Sequence, residues 1–384
     1  MIPDPETLES PSGETPAELL GWRPPHGVVS LYLDIEPGDR KGKWRIEVKN
    51  GLRAAGDESA DHDTEIARRA TVDRLEEELG ADLPADAPRT LIGFVEVARE
   101  PGEERWYRAQ LPPNRISVVA GPVAHLHPLL EMLDDGAPLG VAAVSSERVR
   151  LIDWRLGHAE QLHDWELELF ALDWRERKAQ RPRDPARGQA VTASGRDQYD
   201  ERLEANRERF GKQTGELARR EAKDRDWRWL LIFGDKRYAG ELAEGFGDGD
   251  TLRHVGQEDL ISEPTPKIEA RVEELLSELN REREHSLIER INDAAYAQAR
   301  SAFGPTETLQ ALEEGRVEHL VYDATREYPE ELAAEGRTPV GDGLPPVERM
   351  VELAISTSAA VTPVEGDSAA ELEEQEGVIA LLRY

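Results

Sequence analysis

Short apolar runs recur between long charged stretches of this 384-residue chain, and they constrain its fold more than any other feature. GVVSLYLDI (27–35), TLIGFVEVA (90–98), WRWLLIFG (227–234) and GVIALLRY (377–384) are rich in β-branched, Leu and aromatic residues and are bounded by turn formers, so each reads as a buried strand. Breaks at Gly136-Ala137-Pro138 and Glu263-Pro264-Thr265-Pro266 divide the chain into three blocks.

A Pro/Glu-rich lead-in (1–24) precedes an α+β block over 25–137. There Trp44, Ile46, Val48 and Leu52 predict one helix, and Ala67, Val72, Leu75 and Leu79 a second that ends at Gly80. Strands are expected over 90–98, 105–111 and 114–120, and a short helix over 125–133. The second block (138–262) opens with a tight hairpin, 140–146 and 148–156, and its meander continues over 158–169. Beyond a basic segment, residues 199–224 predict a long helix with Asp197 as N-cap, then strand 227–234, helix 235–246 and edge strand 251–256. The third block (263–384) starts with a helix from Lys267 to about Ala302, whose Leu275, Leu276, Leu279, Leu287, Ile288, Ile291 and Ala294 form an inward stripe. Helices over 306–315, 345–358 and 368–377 then alternate with strands over 316–323, 360–367 and 377–384, an α/β sandwich. The expected class is mixed α+β and α/β in three domains.

Composition excludes several chemistries. The absence of cysteine removes disulfides, thiolate metal sites and cysteine nucleophiles. No apolar run approaches the roughly 18 residues of a membrane helix, and the N-terminus lacks the basic-then-apolar order of a secretory signal, so a cytoplasmic protein without a membrane partner is expected. Forty Arg against eight Lys fits either a high-GC coding bias or a salt-adapted host. A formal charge of −31 repels nucleic acid at long range, so RNA binding must be local.

One segment is suited to it. Residues 175–196 carry Arg175, Arg177, Lys178, Arg181, Arg183, Arg187 and Arg196 against Glu176 and Asp184, a local charge of +5. Its tip, Arg187-Gly188-Gln189-Ala190, lacks bulky and acidic side chains and fits a narrow phosphate-lined space. The alternative is a solvated surface loop. Other signals are weaker. His125-x-His127 could present two imidazoles on one strand face, or be a structural pair; no carboxylate pattern nearby supports a metal site, and none is expected, nor any cofactor. Gly245-Phe246-Gly247-Asp248-Gly249-Asp250 follows a helix instead of preceding one and reads as a turn, not a phosphate cradle. Trp154, Trp165 and Trp174 read as core or hairpin residues, with base stacking as the alternative.

The third block carries a resemblance. Gly304-Pro305-Thr306-Glu307-Thr308 leading into a helix, then EGRVEHLVYD, VELAISTSAAVTPVEGD and the terminal EGVIALLRY closely resemble the last domain of the archaeal and eukaryotic class-one peptide-chain release factors and of Pelota, over about 120 residues. The resemblance implies an α/β/α sandwich similar to the ribosomal L7Ae/L30e-like fold. Kink-turn RNA binders of that superfamily present Asn-Glu and a Lys where this chain has Thr306-Glu307 and Gln310, which implies docking to a protein such as a translational GTPase or splitting factor.

The middle block is similar to the second domain of the same release factors, with hairpin, basic loop, long helix and buried strand in that order. Arg187-Gly188-Gln189 stands where the family has Gly-Gly-Gln. The family hydrolyses the ester joining nascent peptide to tRNA. By resemblance Gln189 is the catalytic residue, placing a water against the ester carbonyl, and Gly188 permits its backbone geometry. The arginines and Lys178 then track rRNA and tRNA phosphates. Arg187 departs from the motif, since Gly tolerates φ > 0 where Arg does so poorly. The first block contains no Asn-Ile-Lys-Ser motif of the kind that reads stop codons; Asn50-Gly51-Leu52-Arg53 is the nearest stretch and reads as helix. The resemblance points to the bacterial homologues of these factors. Two functions follow from it: a stop-codon-independent peptidyl-tRNA hydrolase in ribosome rescue, or a non-hydrolytic, Pelota-like ribosome-binding or splitting factor.

Overall fold

The computed structural model describes residues 7–35, 43–57, 61–80, 88–168, 173–176, 193–247, 251–298, 300–329 and 344–384. They build three sheets in a mixed α/β architecture, grouped in two compact units, residues 1–136 with 275–384 and residues 137–274.

In the first unit a short helix α1 (Thr15–Leu20) precedes β1 (Val28–Asp34), the α2 (Lys43–Asp57) and α3 (His62–Gly80) pair, and β2 (Thr90–Glu96), β3 (Glu104–Ala109) and β4 (Ser117–Gly121). The sheet is antiparallel in order β3-β2-β1-β4, with Leu31 opposite Gly93 and Val118. Alternation sends Val29, Leu31 and Leu33 to the face covered by Trp44, Val48, Leu52, Ala67 and Leu75 of the two helices. Gly51 lies in α2 because a Cβ there would sit 2.8 Å from Val118 Cβ, so Asn50-Gly51-Leu52-Arg53 is a helix-to-sheet contact. The lead-in is ordered where it is described: Glu9 bridges Tyr107 on the β3 edge and accepts the Arg108 N–H.

Helix α4 (His127–Asp135) closes this block, two residues later than expected. His125 precedes it and His127 is its first residue, so the two imidazoles do not share a strand face.

The second unit holds β5 (Leu139–Val144), β6 (Arg148–Arg155), β7 (His158–Glu168), β8 (Asp173–Glu176), α5 (Ala193–Asp224), β9 (Trp229–Gly234), α6 (Lys236–Phe246) and β10 (Leu252–Gly256). The sheet order is β10-β9-β5-β6-β7-β8, parallel from β10 to β5 and antiparallel from β5 to β8. Parallel strands need crossovers, which α5 and α6 supply. Leu151, Trp165, Leu230 and Ile232 meet Phe210, Ala218, Leu242 and Phe246 in one core. Trp154 is fully buried as well.

Helix α7 (Thr265–Gln298) begins in this unit and ends in the first. Beyond it come β11 (Ser301–Phe303), α8 (Gly304–Glu313), β12 (Val317–Asp323), α9 (Pro346–Ser356), β13 (Ala360–Val364), α10 (Gly366–Ala370), a 3₁₀ turn (Glu373–Gln375) and β14 (Val378–Leu382). The sheet runs β11-β14-β12-β13, with β12 and β13 parallel. Leu287, Ile288 and Ile291 of α7 pack on Val321, Ile379 and Leu381, as the stripe predicts. The expected helix from Lys267 to Ala302 stops short of its end: Ala302 belongs to β11, paired with Ala380. The expected helix over 368–377 is only α10 and the 3₁₀ turn, since Gly377 at φ +82° ends the run ahead of β14.

Candidate functional site

The basic segment lies in sequence between two described elements. On its N-terminal side β8, which the sequence did not reveal, pairs with β7 in the register Trp165↔Glu176, Glu166↔Arg175 and Leu167↔Trp174. Arg175 is therefore an edge-strand residue. On the C-terminal side α5 resumes at Ala193, earlier than expected, so Arg196 sits in its first turn and Asp197 lies within the helix instead of capping it. Arg177, Lys178, Arg181, Arg183, Arg187, Gly188 and Gln189 lie outside the described residues.

The anchor helix is held by close packing. A Cβ on Gly215 would lie 2.1 Å from the Leu242 carbonyl oxygen, and one on Gly245 would lie 2.0 Å from that of Lys212, so α5 and α6 touch backbone to backbone. Thr214, fully buried at the crossing, donates its hydroxyl to the Phe210 and Gly211 carbonyls, both at 2.9 Å. Asp235 caps α6 by accepting the Arg237 N–H at 2.9 Å, and Gly247 at φ +82° ends it, which makes the glycine-rich stretch after α6 a helix stop where it is described.

Ion pairs lock the same helix to the sheet. Arg207 donates to Glu147 at 2.8 Å in the β5–β6 turn. His163 of β7 stacks on Trp165 at 4.7 Å between centroids and lies 2.9 Å from Glu221 Oε1. Burial alone would raise the Glu221 carboxyl, but His163 and Arg225, 3.0 Å away, hold it below its ordinary value. Arg148 grips Asp164 with two hydrogen bonds of 2.7 and 2.8 Å, and the Trp227 indole N–H donates to Asp153. Arg150, buried, donates to the carbonyls of Leu260, Ile261 and Glu263 and so ties the segment before α7 to β6. These pairs give Glu147, Asp153, Asp164 and Glu221 structural roles. Among the described residues no group of side chains could hold a metal ion.

The other sequence signal, His125 and His127, becomes a buried junction between the first and third sheets. Glu348 of α9 lies 2.7 Å from His125 Nδ1 and accepts the N–H groups of Leu126 and His127, each at 3.0 Å. His127 Nδ1 lies 2.6 Å from the Tyr322 hydroxyl and its Nε2 2.9 Å from Glu131, while Tyr32 donates to the His125 carbonyl at 2.6 Å. Burial would raise the Glu348 carboxyl; His125 and the two N–H groups hold it lowered instead. Nearby, burial and the carboxylates of Asp134, Glu284, Glu131 and Glu365 push Asp135 up to about 7. The sequence hint was a Glu inside the apolar stripe of a helix, which costs too much to bury without partners.

Comparison with known proteins bears on the unit of residues 137–274. Residues 138–274 match the family model of bacterial archaeo-eukaryotic release factor family 5. No curated protein sequence matches the chain. Among solved structures, the archaeal translation termination factor aRF1 is 18% identical with 96% of each chain covered and a TM-score of 0.25. The S. cerevisiae translation termination-like factor Dom34 is 9% identical over 77% of this chain and 80% of its own, with a TM-score of 0.41. A ribosome-bound archaeal Pelota with ABCE1 is 12% identical over 98% and 95%, with a TM-score of 0.42. Among the described residues no helix is long and apolar enough to cross a membrane.

Proposed function

We propose that this chain, a homologue of the archaeo-eukaryotic release factors through residues 138–274, acts on the ribosome as a stop-codon-independent peptidyl-tRNA hydrolase in ribosome rescue. The observation that carries the reading is positional: the family match spans Arg187-Gly188-Gln189, and that tripeptide lies in the segment joining β8 to α5. Gln189 places a water against the ester carbonyl, through its backbone and amide, and Gly188 supplies the backbone freedom this needs. No side-chain acid or base is required. Arg175, Arg177, Lys178, Arg181, Arg183, Arg187 and Arg196 neutralise phosphates of rRNA and peptidyl-tRNA around the loop. A translational GTPase or splitting factor docks on the C-terminal segment, where Thr306, Glu307 and Gln310 are all exposed on α8 and offer no ammonium to RNA.

A second reading rests on Arg187. A guanidinium at the first glycine position changes both the fit and the backbone freedom of the tip, which favours a Pelota-like factor that binds or splits ribosomes without hydrolysis. The test is release of nascent peptide from purified stalled ribosome complexes that carry no stop codon. Release by the wild-type protein supports hydrolysis, and Arg187→Gly then keeps or raises the rate. Tight ribosome binding without release supports the second reading.

A further inference from the structure

The charge of the chain divides unevenly. Residues 137–274 hold 29 acidic and 24 basic side chains, a net charge of −5, whereas the other unit carries −26. Within the less acidic unit α5 is balanced, with eight of each sign, and three of its arginines share one line. At 100° per residue Arg202, Arg209, Gln213 and Arg220 fall within about 20° of one line, and all four are exposed. Asn206 flanks the line, and Glu216 is the nearest acid in its middle.

Three acids of α5 lie off this line and are engaged. Glu204 pairs with Arg207 and Arg237, Glu208 with Lys212, and Glu221 with His163 and Arg225. Arg202 and Arg220 form no ion pair among the described residues. The side opposite the line is the one that carries Gly211, Thr214, Gly215 and Ala218 into the α6 and sheet contact, so the ridge faces solvent. Spread over 18 residues of helix, it is about 27 Å long.

We propose that this outward ridge of α5 is a second phosphate-binding surface, continuous with the basic segment, and that it docks along the acceptor stem of the peptidyl-tRNA. The inference rests on the proposed function for its choice of RNA. Ala193 follows Gln189 by four positions, a reach of at most about 14 Å when fully extended, and nine more residues of helix bring Arg202 within about 28 Å of Gln189. The ester that Gln189 addresses hangs from the 3′ end of the tRNA, so the RNA helix nearest the start of α5 is the stem that carries that end. Three arginines in a row, spaced 7 and 11 residues apart with two carboxamides between them, suit a phosphate backbone: guanidinium forks take phosphate oxygens bidentately, and carboxamides add neutral donors.

The test compares the full-length wild type with the triple variant Arg202→Gln, Arg209→Gln, Arg220→Gln by co-sedimentation with ribosomes that carry or lack a P-site tRNA, at 50–200 mM salt. A control removes three exposed arginines from the other unit, Arg69, Arg99 and Arg281. The ridge variant is expected to lose about tenfold or more in affinity for tRNA-loaded ribosomes and to flatten the slope of log K against log salt by about two units, since each lost contact removes about 0.7–0.9. Thermal unfolding should match the wild type, because the three side chains lie outside the core. An unchanged affinity and slope in a variant of a wild-type protein that does bind and release overturns the ridge and leaves the proposed function standing. An equal loss on tRNA-free ribosomes reassigns the surface to rRNA and overturns the tRNA assignment. An equal loss in the control reduces the effect to net charge, and a wild type that binds no ribosome removes the ridge together with the reading beneath it.

Discussion

The two compact units spend their polar side chains in opposite directions. In the unit of residues 1–136 and 275–384, Glu348, His125, His127, Tyr322 and Tyr32 face inward and join two sheets through a buried network. In the unit of residues 137–274 the ion pairs brace the strands and helices around the two ends of one basic segment, and Arg202, Arg209 and Arg220 of α5 are exposed. The first arrangement builds a body and the second braces the two ends of the basic segment. An acidic protein can meet RNA this way only if the contact is confined to the unit with little net charge.

The comparison breaks first at Glu348. Glu348→Ala leaves His125 and two buried N–H groups without their acceptor and should cost roughly 3–5 kcal/mol, read by denaturant unfolding. Its lowered pKa gives stability that is present above the unfolded value of about 4.3 and is lost as the pH falls through the folded one. A loss under 1 kcal/mol would show that the junction is not a structural weld.

Asp135 has the opposite sign. With a folded value of about 7 against about 3.9 unfolded, it favours the native state only when protonated, so its contribution declines as the pH rises from about 4 to 7. Asp135→Asn should therefore stabilise the protein at pH 8 by up to about 4 kcal/mol and remove that slope, in melting curves taken across the range. A destabilised variant at pH 8 would contradict it.

A smaller effect sharpens the other side. Gly245→Ala forces a methyl against the Lys212 carbonyl and should cost roughly 1–3 kcal/mol in thermal unfolding while weakening peptide release, because α5 follows directly on the basic segment. Unchanged melting would mean that α5 and α6 separate freely. Smallest of all, Arg69→Ala removes an exposed i,i+4 pair with Glu65 and should change stability by less than about 0.5 kcal/mol.

Most of the architecture was legible because each strand is a compact apolar run bounded by turn formers. Val28 to Asp34, Trp229 to Gly234 and Val378 to Leu382 emerge close to where their side chains place them. Elements stabilised by pairing alone were not legible: β8, only Asp173–Glu176, exists by completing the edge of β7, and β11 by completing that of β14. The early start of α5 was hidden by Asp197, whose cap preference the extended helix overrides. The junction at Glu348 left only a Glu within an apolar helix stripe as its local sign, because its partners are more than 190 residues away in sequence. Of the candidate site the sequence offers a motif, Gly188 and Gln189 in a basic run, and both residues lie outside the described ones.

The central claim is that ester chemistry belongs to Gln189 and docking to the arginines around it. Its most direct test is Gln189→Ala on purified stalled ribosome complexes, with peptide release and ribosome co-sedimentation measured on the same samples. The account predicts that release falls to the uncatalysed level while co-sedimentation remains near that of the wild type, since one amide contributes little binding area. Release by the variant at the wild-type rate would contradict it.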